Sequence, residues 1–186
     1  MPAGSGPIRP SSTSESSATR LYDRIVTAEQ IAPELDVDEW LGTPHTLAQL
    51  HGKVVLVEAF QMLCPGCVSH ALPQVKRVQA NFPDVVVLGL HTVFEHHDAM
   101  TPTALRAFAS EYRLTFPIGI DRHEGGDPMP VTMARYRLQG TPSTLLIDRR
   151  GRLRLAAFGT LDDLVLGSHL GRLLTEPADA PDPVGS

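Results

Sequence analysis

The chain has 186 residues, 42% of them hydrophobic, and a formal net charge of −5. That is enough to bury one substantial core and short for two domains. A negative balance with no basic run argues against nucleic acid as a main partner. No apolar stretch of about 18 residues indicates a membrane span.

In chain order, the first 20 residues, MPAGSGPIRPSSTSESSATR, are rich in Ser, Pro and Gly. They read as disordered, and the disordered N-terminal segment is expected to cover residues 1–30. They hold no apolar h-region of a secretory signal. This places the protein in the cytoplasm, where a lasting structural disulfide is disfavoured. VVLVEAF (54–60) is a nearly continuous apolar run, as expected of a central strand covered on both faces. The spacing of Val68, Leu72, Val75 and Val78 predicts a helix from Pro65 to about Asn81. Pro65 suits its first turn, and Pro73 should kink it. VVVLGLH (85–91) is a second buried strand. Thr101-Pro102 starts another helix, with Leu105, Phe108, Ala109 and Tyr112 as its buried face. FPIGID (116–121) is a short strand or extended piece, and residues 122–131 form a Gly/Pro-rich loop. A tolerated surface loop is the better reading of that segment than a substrate gate. STLLIDR (143–149) and RLRLAAF (152–158) make a hairpin around Asp148 to Gly151. In its second strand Leu153, Leu155 and Ala157 face one side, with Arg152 and Arg154 on the other. A last helix carries Leu166, Leu170, Leu173 and Leu174 on one stripe. TEPADAPDPVGS (175–186) reads as a disordered tail.

The chain's only two cysteines form Cys64-Pro65-Gly66-Cys67, just after the first apolar run. A Cys-x-x-Cys pair at a strand exit, opening a helix, reads as a redox dithiol. One helical turn brings the sulfurs within bonding distance, and the helix start stabilises a thiolate. Cys64 is expected to be the more exposed, attacking sulfur, and Cys67 the one that resolves a mixed disulfide.

The order β-α-β-α, then a hairpin and a helix, with the dithiol after the first strand, resembles the thioredoxin fold. Gly140-Thr141-Pro142-Ser143 resembles the family's Gly-Thr-Pro element, and LLIDRRGRL (145–153) its Leu-Ile-Asp-x-x-Gly hairpin. The leader DEWLGTPHTLAQLHGKVVLVEAF (38–60) resembles that of the TlpA-like redoxin branch. The resemblance implies an α/β fold with a mixed central sheet flanked by helices and an extra N-terminal hairpin, in a domain spanning 31–174. It also implies a thiol–disulfide oxidoreductase. Pro142 would be cis and face the dithiol, with Thr141 presenting its backbone to an added substrate strand, beside Pro65 and Gly66. No metal or organic cofactor is implied, only the Cys64–Cys67 disulfide. The partners would be a disulfide-containing protein or small-thiol substrate and an external reductant or oxidant. Glu58, six residues before Cys64, stands where the family often buries an acid that trades protons with the second sulfur. The alternative is that Glu58 faces a water pocket or pairs with Lys53.

Two departures stand out. Leu63 precedes Cys64 where the family commonly has Trp. The expected proline comes one residue late, at Pro73, so the helix must absorb an extra residue, for which a π-bulge is one form. These departures keep a peroxiredoxin-like reading in view, with Cys67 attacking peroxide. That family's activating Thr and Pro are replaced by Cys64 and Phe60. A zinc module built from the cysteines and His91, His96 and His97 is a third reading. The blander reading is preferred: His91 ends a strand, and His96 and His97 are solvated. His70 reads as a helix-surface residue, and Trp40 as packing in the leader.

Overall fold

The computed structural model describes residues 30–177. The expectations of disorder over 1–30 and 175–186 fall outside this range, apart from Gln30 and residues 175–177. Six strands, β1 (Val37–Leu41), β2 (Val54–Phe60), β3 (Val85–His91), β4 (Ile118–Asp121), β5 (Ser143–Ile147) and β6 (Leu153–Phe158), form one mixed sheet. Its order is β1-β4-β3-β2-β5-β6. The β2–β3 and β3–β4 pairs are parallel, and the β2–β5, β5–β6 and β1–β4 pairs antiparallel. The helices are α1 (Leu72–Asn81), α2 (Pro102–Glu111), α3 (Val131–Arg135) and α4 (Asp163–Thr175). This is the thioredoxin fold.

The apolar run 54–60 becomes the central strand β2, and all seven of its residues are buried. Side chains alternate between the two faces of a strand. Leu56 and Phe60 therefore join Leu72, Val75, Leu105, Leu166 and Leu170 under α1, α2 and α4. Val55, Val57 and Ala59 join Leu145, Leu88 and Tyr136 on the opposite face. The N-terminal addition also covers that second face. Ile31 bridges to Arg152 beside β6, Ala32, Leu47 and Leu50 are buried there, and β1 pairs with β4 at the far edge.

Three local readings change in the structure. Leu153 does not share a face with Leu155. Leu155 pairs with Leu146 but Leu153 pairs with Ile147, so Arg154 is the extra residue of a β-bulge. Leu153 then joins the second core cluster, while Leu155 and Ala157 stay in the first. On α2 only Leu105 is fully buried. Tyr112 is exposed and stacks on Phe108 from outside, with ring centroids 4.3 Å apart. The short helix α3 follows the 122–130 loop without an apolar repeat to announce it. Its start is held from the sheet instead: the buried Asp121 carboxylate accepts the N–H groups of Thr132 and Met133, at 2.8 and 3.0 Å. The Thr92 hydroxyl donates to it at 2.9 Å. Each buried donor stranded by loss of that carboxylate would cost about 1–3 kcal/mol.

At the C-terminal end, Arg154 donates to Asp148 at 2.9 Å and pairs with Glu176 just past α4. Among the described residues, no helix is long and apolar enough to cross a membrane.

Candidate active site

The dithiol lies where β2 ends and the helical segment begins. Cys64 is partly exposed and Cys67 fully buried, and both are free thiols. The Cys67 backbone N–H donates to the Cys64 sulfur at 3.2 Å. This is the expected use of an unpaired N–H at a helix start, placed to favour negative charge on sulfur. The Cys64 thiol donates to the Thr141 carbonyl oxygen at 3.4 Å. Thr141–Pro142 is a cis peptide. A Cβ added to Gly66 would lie 3.4 Å from the Pro142 ring, so the dithiol turn and the proline are in close apposition. Pro65 is exposed beside them.

The displaced proline is absorbed as a π-helical turn, Cys67–Ala71, ahead of α1. Leu72 donates to the Cys67 carbonyl five residues back, and Pro73, which has no N–H to donate, follows directly. The extra residue is thus taken up within the turn that carries Cys67.

Glu58 is fully buried on β2, on the sheet face that packs against Cys67. The Thr144 hydroxyl, directly across on β5, donates to one of its oxygens at 2.8 Å, and the other oxygen has no partner. The partner is therefore Thr144 rather than Lys53. Burial raises the Glu58 pKa to about 8, against the opposing pull of the Thr144 hydroxyl. Burial also pushes the Cys67 thiol up to about 12, helped by its hydrogen bond with Cys64. The Gln61 backbone N–H and the Thr141 side chain pull it back.

Among the candidate histidines, His91 does end its strand, but it is fully buried against Phe60, and burial lowers its pKa to about 4. His96 and His97 are exposed. His70 is exposed and bonds to Ser69 at 2.6 Å. Trp40 is half-buried on β1, edge-on to His45. Among the described residues, no group of three or more His, Cys, Asp or Glu side chains is placed to hold a metal.

Sequence reasoning passed over Gln61. Its side chain is buried, with the amide nitrogen 3.5 Å from the Thr141 hydroxyl and the amide oxygen without a partner. Its carbonyl accepts the Cys64 N–H at 3.2 Å. The available signal was a lone amide directly after a buried apolar strand.

A thioredoxin fold with a Cys-x-x-Cys pair under a cis-proline segment defines a protein of the TlpA-like thiol–disulfide oxidoreductase class. The chain belongs to the AhpC/TSA family, whose model matches residues 28–156. The crystal structure of the thioredoxin-like superfamily protein SPOA0173 is 54% identical, covers 80% of this chain and 98% of its own, and superposes with a TM-score of 0.77. A thiol-disulfide isomerase from Corynebacterium glutamicum is 50% identical, over 78% of this chain and 98% of its own, with a TM-score of 0.75. Protein DipZ of Mycobacterium bovis is 30% identical over 78% of this chain, and the chain spans 21% of its length.

These comparisons correct the cytoplasmic placement. Two of the relatives, DipZ and the thiol-disulfide oxidoreductase ResA of Geobacillus kaustophilus, are extracytoplasmic proteins. The missing h-region in residues 1–20 was therefore a poor guide to compartment.

Proposed function

We propose that this protein is a thiol–disulfide oxidoreductase, working as one thioredoxin-like domain over residues 31–174. The observation that carries the reading is the setting of Cys64. A backbone N–H points at its sulfur, and a carbonyl of the cis-proline segment lies beside it. The Cys64 thiolate attacks a substrate disulfide lying along Thr141-Pro142, with Pro65 and Gly66 forming the rim. One Cys64–substrate S–S bond forms, the substrate S–S bond breaks, and the first substrate sulfur leaves as a thiolate. Cys67 gives its proton to the Glu58 carboxylate and attacks Cys64. The Cys64–Cys67 bond forms, and the second substrate sulfur leaves and takes up a proton. Two electrons have passed from the dithiol to the substrate, and the same steps run in reverse. The substrate is a disulfide-containing protein or small thiol compound, and an external reductant or oxidant resets the pair. The chemistry requires no metal, organic cofactor, nucleic acid or membrane.

The full burial of Cys67 favours this reading over a peroxidase, whose attacking sulfur must meet peroxide directly. In the reduced protein, thiol loss to hydrogen peroxide should be slow and exchange with a disulfide such as oxidised glutathione rapid. Fast, peroxide-specific oxidation of Cys67 with sluggish disulfide exchange would overturn the proposal.

A further inference from the structure

We infer that Thr144 is a positioning residue for the resolving step: its hydroxyl, donated to one oxygen of the Glu58 carboxyl, sets the pH range in which Cys67 can hand over its proton. The inference rests on the exchange mechanism proposed above and adds to it a residue that touches neither substrate nor sulfur.

Glu58 and Thr144 are both buried, and they are direct cross-strand partners in the antiparallel β2–β5 pair. Alternation along the two strands puts them on the face that also carries Leu56 and Leu146. The Thr144 hydroxyl donates to Glu58 Oε2 at 2.8 Å, and Oε1 is buried without a partner. A hydroxyl has a single proton to donate. Given to Oε2, it orients the carboxyl from the β5 side and leaves Oε1 as the open acceptor. An ionised carboxylate draws a hydrogen bond about twice as strong as a neutral carboxyl does. The contact therefore favours the form of Glu58 that can take up a proton, against a burial that disfavours it.

The elements around Glu58 bring little else to oppose that burial. β3 places Gly89 opposite it, and His91, two residues on, lies against Phe60 and is neutral above pH 6. The π-helical turn brings Cys67, and α1 and α4 bring Leu72, Val75, Leu166 and Leu170. The charged side chains of those helices stay outside: Lys76, Arg77, Asp163 and Arg172 are exposed, and half-buried His169 bonds to Arg172 at 3.5 Å.

In the resolving step Cys67 gives its proton to the Glu58 carboxylate, and the Cys67 thiolate attacks the Cys64 sulfur. The Cys64–Cys67 bond forms and the Cys64–substrate bond breaks. Its electron pair leaves on the substrate sulfur, which takes up a proton. Only the ionised fraction of Glu58 can start this sequence. Removing the hydroxyl lowers that fraction about fivefold at neutral pH, the difference between a charge-assisted and a neutral hydrogen bond. The attack of Cys64 on substrate needs no proton acceptor and is left untouched.

The test takes two readings across pH. One is the release rate of a chromogenic thiol from a preformed mixed disulfide with Cys64. The other is the titration of the Glu58 carboxyl, read from its infrared carbonyl stretch as the difference between each protein and its Glu58→Gln counterpart. The proteins are the wild type, Thr144→Val, Thr144→Ser, Glu58→Gln and the Glu58→Gln/Thr144→Val double variant. Iodoacetamide alkylation of Cys64 serves as a control. Thr144→Val should move both midpoints upward by about 0.7 pH unit, slow release about fivefold at pH 7, and converge on wild type above roughly pH 9.5. Its Cys64 alkylation should be unchanged. Thr144→Ser, which keeps the hydroxyl, should stay near wild type. The double variant should release as Glu58→Gln does, because the hydroxyl acts through the carboxyl. An unshifted carboxyl midpoint in Thr144→Val, equal slowing at every pH, or further slowing of the double variant below Glu58→Gln would overturn the inference and leave the exchange mechanism standing. A carboxyl midpoint that moves while release does not would remove Glu58 from the proton step and the inference with it. If the wild type releases no thiol, the exchange mechanism falls too. Should Thr144→Val fail to fold, Thr144→Ala against Thr144→Ser makes the same comparison, and equal midpoints for those two would overturn the inference.

Discussion

Glu58→Gln is expected to make the protein more stable and less active. In the folded chain burial holds the Glu58 pKa at about 8, against an ordinary value of 4.5. Below pH 4.5 the carboxyl is protonated whether the chain is folded or not, so it costs nothing there. As pH rises from 4.5 to 8 the unfolded chain ionises first and is favoured, and stability falls by about 1.4 kcal/mol per pH unit. Above pH 8 both states are ionised and the cost stops growing. At pH 7 the penalty is on the order of 3 kcal/mol, worth roughly 5–10 °C in Tm for a chain of this size. Gln removes the titration and can still accept from Thr144. The stability gain should therefore be small at pH 4, large at pH 8 and constant beyond, as read by thermal melts across pH. Activity should move the other way. Release of the mixed disulfide in the wild type should quicken as the carboxylate forms near pH 8, and in Glu58→Gln it should be roughly tenfold or more slower, with that rise lost. An equal stability gain at pH 4 and pH 8, or unchanged turnover across roughly pH 6–9, would remove Glu58 from this role.

The two cysteines should fail in different ways. Cys64→Ser removes the exposed sulfur that the Cys67 N–H faces, and no mixed disulfide should form. Cys67→Ser keeps Cys64 and its setting, so attack proceeds and then stops. The substrate should remain covalently bound, with turnover down by at least roughly a thousandfold, since Ser cannot close the second disulfide. Intact mass before and after reductant reads both results. Equal trapping by the two variants, or trapping through Cys67 alone, would reverse the assigned roles.

Much of this site is legible in the residues because local chemistry marks it. The run 54–60 and the cysteines that follow locate the strand exit and the dithiol. Gly140-Thr141-Pro142 marks the facing segment, and the late Pro73 announces the π-helical turn. What escapes is set by contacts distant in sequence. Strict alternation along 152–158 cannot show the bulge at Arg154, which arises from pairing with β5. The helix α3 owes its start to Asp121, a residue on another element. Gln61 acquires meaning only when Thr141, eighty positions on, is folded against it. Tyr112 follows the helical period of Leu105 and Phe108, yet it lies past the last turn of α2 as its C-cap, exposed and stacked on Phe108, while Ala104, Phe108 and Ala109 pack with Leu105 against the core.

The most direct measurement is a redox titration of the native protein in glutathione buffers of graded potential, with free thiols counted by alkylation and mass. Cys64 and Cys67 should lose reactivity together in one reversible two-electron transition, of about 30 mV per tenfold change in the oxidised-to-reduced ratio. Thiols that remain alkylatable at every potential, or a pair that never closes into an internal disulfide, would contradict the account.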